Sequence, residues 1–221
     1  MKYNLKVPKN LNELTVGQYL NYISIENPTK EDLLTSFLGL DLKTLRSLKA
    51  DSVNKLENHL NEILSEKPSF YPTFKLEGVS YGFEPNLDDI TFGVNEDATE
   101  YLKEPEKLNK ALAVLYRPIT GRIGSKYRIE EYKGSGSRSE LFLNAPLGIA
   151  LGMSVFFCNL TTDLLRATLN STQEELMEEV LLLERDKDSL RNGGLTKNSI
   201  LLLKEILEDL KKSGDLMFTN V

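Results

Sequence analysis

The sequence predicts an α+β fold: mainly helical, with a small antiparallel β-sheet set between helices and a C-terminal helical hairpin. Three observations lead there. Apolar residues recur at three-four spacing, as in Val53, Leu56, Leu60, Ile63 and Leu64, which is the stripe an amphipathic helix buries. The period changes to two around Glu77-Gly78, where Phe74, Leu76, Val79, Tyr81 and Phe83 alternate as in paired strands. Near the end, two apolar helical runs are joined by Asn192-Gly193-Gly194, the composition of a tight turn.

Taken in order, Thr15 and Gln18 stand at capping-box spacing before Val16, Tyr19, Leu20 and Ile23, so a short helix starts there. Pro28-Thr29 restarts the chain, Leu33, Leu34, Phe37 and Leu38 form a second apolar set, and Gly39 closes it. A longer helix is expected over 52–66, terminated by Pro68 and Pro72. The Glu77-Gly78 hairpin would pair Leu76 with Val79 and Phe74 with Tyr81, and Gly82 suggests close backbone approach. Two helices are expected in 87–117, split near Glu104-Pro105, the second carrying Leu108, Ala111, Leu112 and Leu115. Arg117-Pro118 reads as the end of that helix, with a cation at its negative pole. A third strand is expected at 126–132, and Gly134-Ser135-Gly136-Ser137 reads as a mobile loop. The apolar run from Pro146 to Leu160 is expected to be a central buried helix, since a membrane span needs ~20 residues. In it Met153, Phe156 and Leu160 share a face, and Gly148 and Gly152 leave room for a neighbouring helix. Ser171 and Glu174 open the C-terminal hairpin, giving a principal domain over 1–170 and an appendage over 171–221.

Composition narrows function by exclusion. One Cys and one His among 221 residues rule out an intramolecular disulfide framework and multi-His or Cys-rich metal sites. A formal net charge of −6 argues against a general nucleic-acid coat protein, and Met1-Lys2-Tyr3-Asn4 does not open a secretory signal. The balance points to a soluble, intracellular or virion-internal protein.

Little in the chain reads as catalytic. Asp88-Asp89 and Glu96-Asp97 are adjacent pairs whose side chains diverge, and Asp88 or Asp89 fits a helix cap. His59 flanks the stripe of its helix, and Cys158 lies in the apolar run, where a buried thiol is inert. No nucleophile elbow or phosphate loop occurs, so neither enzymatic activity nor a cofactor is expected. The one charge feature is basic: Arg117, Arg122, Lys126, Arg128, Lys133 and Arg138, with Tyr116, Tyr127 and Tyr132 interleaved. It reads first as a solvated face, next as a surface for an acidic protein, and last as a nucleic-acid contact. In the C-terminal hairpin, Leu181, Leu182, Leu201 and Leu202 widen the apolar stripes beyond one face. Either the main domain covers them or a partner subunit does.

Four segments together carry a resemblance: Val79-Ser-Tyr-Gly-Phe-Glu-Pro-Asn-Leu-Asp-Asp89, Ala111-Leu-Ala-Val-Leu-Tyr-Arg-Pro-Ile119, Tyr127-Arg-Ile-Glu-Glu-Tyr132, and Pro146 through Ala150-Leu-Gly to Phe156-Phe-Cys-Asn-Leu160. Their succession resembles a family of small proteins of tailed bacteriophages of Bacteroidota, crAss-like phages included, over most of residues 12–170. The resemblance implies a virion-structural or tail-assembly protein, with other phage structural proteins or further copies of itself as partners and no membrane. It implies residence in the virion, as internal cargo or at the portal–tail apparatus, and in the host cytoplasm during assembly. A tail-assembly chaperone, or a nucleic-acid-associated protein delivered with the genome, are the alternatives. The family often has an aromatic where this chain has Cys158, which suits a packing position.

Overall fold

Local side-chain hydrogen bonding starts four of the α-helices. In the computed structural model, which describes residues 7–87, 90–134, 136–160 and 178, Thr15 and Gln18 form the expected capping box. The Thr15 hydroxyl accepts from the Gln18 N–H at 3.2 Å, and Gln18 Oε1 accepts from the Thr15 N–H at 2.8 Å. This starts α1 (Val16–Ile23), and the Gln18 side-chain amide also donates to the Phe37 carbonyl at 3.0 Å. That second bond ties α1 to α2 (Lys30–Leu38), which opens on a Thr29–Asp32 capping box and closes at Gly39, whose φ of 62° is left-handed. Asp41 caps α3 (Leu42–Arg46), and α4 (Ala50–Leu64) buries Leu60 and Ile63. His59 on α4 lies 2.8 Å from the Pro8 carbonyl through Nε2, so it anchors the entering chain.

The hairpin forms in the expected register. In β1 (Thr73–Leu76) and β2 (Val79–Phe83), Leu76 faces Val79 and Phe74 faces Tyr81. Both turn residues, Glu77 (φ 48°) and Gly78 (φ 82°), are left-handed, the twist that suits a two-residue β-turn. Thr91 caps the next helix, α5 (Phe92–Leu102), in the place expected of Asp88 or Asp89, which lie outside the described residues. A 3-10 turn at Pro105–Lys107 leads into α6 (Leu108–Leu115).

Here the structure corrects the sequence reading. Helix α6 ends at Leu115 without help from Pro118, and the chain passes directly into β3 (Tyr116–Ile123). Arg117 is therefore a buried strand residue and not a helix-terminal cation. β4 (Lys126–Ile129) follows, giving one antiparallel sheet in the order β1-β2-β3-β4. Tyr116–Pro118 pair with β2, whereas Ile119–Ile123 pair with β4 across a bulge. Pro118 stands where β3 changes partner, which is how a strand with neighbours on both sides accommodates a missing N–H. A second correction concerns the glycine–serine stretch: Gly136 begins α7 (Gly136–Leu141), so that part of the expected loop is helical.

The last described helix, α8, covers residues 147–160. Its first half is core as expected, with Leu147, Ile149, Ala150 and Met153 buried, but Phe156 is only partly buried and Cys158 is exposed. The burial expected of the thiol at 158 is thereby overturned. Gly148 and Gly152 do admit close neighbours, yet these are a short 3-10 turn at Leu11–Glu13 and the Ser69–Phe70 segment, not an α-helix. A side chain at 148 would strike Asn12, and one at 152 would strike the Ser69 carbonyl. Among the described residues the fold is thus α+β, with eight α-helices and a four-stranded antiparallel sheet. The chain divides into two compact units, 1–156 and 157–221. The expected 170/171 boundary and the C-terminal hairpin with Leu181, Leu182, Leu201 and Leu202 lie outside the described residues.

One face of the sheet builds the aromatic core of the first unit. Tyr116 meets Phe74 and Phe83 edge to face, Tyr81 meets Phe142 in the same way, and Phe70 stacks on Phe156 at 4.3 Å. Ala111 through Tyr116 are fully buried, so the C-terminal half of α6 is enclosed on every side, while Lys110 in its first turn is exposed. Side chains of this size contribute ~1.5–3 kcal/mol each when fully buried, so this cluster fixes the sheet against α6 and α8.

Candidate functional site

The opposite face of the sheet decides what the basic segment can do. Gly82 lies in β2 with its Cα against Tyr127: a Cβ there would sit 2.5 Å from Cε2 of that ring and 3.0 Å from Ile129 Cγ2. Tyr127 is further held by its hydroxyl, 2.8 Å from the Phe83 carbonyl and 3.1 Å from the Pro72 carbonyl. Burial raises its phenol above the ordinary value, with the nearby Glu84 carboxylate acting in the same direction. The bulky ring over a glycine thus anchors β4 on the sheet.

Beside it lies an ion pair. The Arg117 guanidinium donates to Glu84 Oε2, with side-chain exposures of 6% and 13%. Burial lowers the Arg117 pKa, and the Glu84 carboxylate opposes that shift. Among the described residues Arg117 Nε has no hydrogen-bond partner, and the Tyr132 ring lies 5.9 Å from the guanidinium carbon. Tyr132 in turn donates its hydroxyl to Asp97, and Arg138 pairs with Glu130 at 2.6 Å. Glu96-Asp97, considered above as a carboxylate pair, therefore contributes through Asp97 to a structural hydrogen bond.

The structure consequently splits the five candidate cations. Arg117 and Arg138 are neutralised internally, whereas Arg122, Lys126 and Arg128 stand exposed on the β3–β4 hairpin. Lys133 is exposed further along the chain. The three interleaved tyrosines offer no ladder for stacking bases. Tyr116 is buried with its hydroxyl on the Tyr71 carbonyl at 2.6 Å, and Tyr127 and Tyr132 are held as described.

Sequence reasoning missed Ile123, which is 86% exposed at the hairpin end. Gly121, Arg122, Ile123, Lys126, Tyr127 and Arg128 line an open concavity of about 460 Å³. The signal was there: Gly124-Ser125 is a two-residue hairpin turn between alternating residues, and Gly124 has φ 61°. Glu84, the partner that removes Arg117 from the surface, was missed as well. Among the described residues, no three His, Cys, Asp or Glu side chains gather closely enough to hold a metal ion. Nor is any described helix long and apolar enough to cross a membrane.

No protein-family model, curated protein or solved structure matches this chain.

Proposed function

We propose that this chain is a non-enzymatic structural or assembly protein of a tailed bacteriophage, working by binding other proteins in the virion, as cargo or at the portal–tail apparatus. The observation that supports this reading best is the β3–β4 hairpin. It presents Arg122, Lys126 and Arg128 beside an exposed Ile123, on a strand clamped to the sheet through Tyr127. A rigid element carrying one apolar anchor within a ring of charge suits protein recognition. The resemblance of Val79–Leu169 to tailed-phage proteins supplies the setting, including passage through the host cytoplasm during assembly. The nucleic-acid alternative loses support, since one of its five cations is buried and another is paired with Glu130. Mass spectrometry of purified particles of the phage encoding the chain tests the proposal: the protein is expected as a particle component. Its absence there, with abundance in the infected cell, overturns virion residence and favours a tail-assembly chaperone.

A further inference from the structure

The free edge of β4 deepens that reading, and the following rests on the chain being a protein-binding component. β4 closes one side of the sheet, and among the described residues nothing pairs with its outer edge. Hydrogen-bonded and non-hydrogen-bonded pairs alternate along an antiparallel ladder. The two-residue turn at Gly124-Ser125 makes Ile123–Lys126 a hydrogen-bonded pair, so the next residue, Tyr127, directs its N–H and C=O away from β3. An unpaired strand edge is a template for another strand. The edge is also ordered in advance, because the Tyr127 ring is fixed over Gly82 and its hydroxyl is bound to two carbonyls.

Side chains select what can pair there. Alternation puts Lys126 and Arg128 on one face of β4, and cross-strand pairing puts Ile123 beside Lys126 on that same face. Arg122 stands opposite Tyr127 on the other face. Among the described residues no carboxylate pairs with any of these three cations. They form a positive island on a chain of net charge −6. We propose that β4 receives an extended acidic segment of a partner protein as a fifth strand, with carboxylates at alternate positions facing Lys126 and Arg128. Main-chain bonds to Tyr127 would supply affinity, and the alternating charges would set register.

The test uses the full chain and a short peptide alternating glutamate and valine. Binding is measured by titration calorimetry at low salt, together with amide hydrogen exchange of the protein. The proposal expects binding, slowed exchange at the Tyr127 amide, and at least about ten-fold weaker binding by an Arg122→Gln/Lys126→Gln/Arg128→Gln variant. These residues are exposed, so the variant should melt at the wild-type temperature. A peptide methylated on alternate backbone nitrogens keeps its charge and should also bind about ten-fold more weakly. No binding, equal binding of the methylated peptide, or preference for single-stranded DNA over the acidic peptide would overturn strand addition. If the protein is found in purified particles while the peptide fails to bind, strand addition falls and the assembly role stands. If the peptide binds at β4 and the protein is absent from particles, strand addition is supported and virion residence falls.

Discussion

Arg117 and its neighbours in sequence carry the same charge, yet they stand in opposite circumstances. Arg117 is enclosed against Glu84, while Arg122, a few positions on, is open to water. A charge taken out of water costs several kcal/mol, and its partner offsets that only while both remain. Arg117→Ala should therefore destabilise the fold by ~3–5 kcal/mol, since it leaves the largely buried Glu84 carboxylate unpaired. Arg117→Met combined with Glu84→Leu should recover most of that loss in urea denaturation. A double variant no more stable than the single one would show that lost packing, not the stranded charge, sets the penalty. None of this was legible from the basic run itself. Residue type reveals charge, but only the return of the chain to a carboxylate 33 positions earlier separates a structural arginine from a contact residue.

At the scale of elements, legibility followed the range of the interactions. The Thr15–Gln18 box, the Gly39 stop and the Glu77-Gly78 turn are decided within a few residues, and the structure has all three. Strand β3 is different. Pro118, Thr120 and Gly121 interrupt its alternation, because its two halves answer to different partners, β2 and then β4. Helix α7 was hidden by glycine and serine, residues that disfavour helix locally, while Arg138 and the buried Ser139 secure it by longer-range contacts. The two glycines of α8 were recognised as sites of close approach, but what approaches is the Leu11–Asn12 turn and the Ser69–Phe70 segment. Backbone at 152 cannot yield as a flexible side chain would. Gly152→Ala should thus cost ~1–3 kcal/mol or more in spite of its higher helix propensity. Unchanged stability by thermal melting would show that the Ser69–Phe70 segment gives way freely.

For the molecule as a whole, charge sets the relation to nucleic acid. Three exposed hairpin cations on a chain of net charge −6 give a salt dependence of log affinity against log salt no steeper than about −3. Binding to duplex DNA should be weaker than ~10 μM near 0.15 M salt, and a filter-binding series across salt concentrations measures both quantities. A steeper slope would mean that cations outside the hairpin join in. The first unit is also closed by its two extremes: Val16 donates to the Ala145 carbonyl at 3.0 Å, and Leu147 donates to the Leu14 carbonyl at 2.8 Å. About 130 residues separate the partners in this bridge between Thr15 and Pro146. At ~5–20 residues per second, a ribosome needs on the order of ten seconds to travel that distance. For that interval the nascent chain carries Leu14 and Val16 without the backbone that later covers them. The first unit cannot close until residues 145–147 have emerged, so a translation product stalled before them would offer proteases and chaperones an uncovered Leu14–Val16 segment.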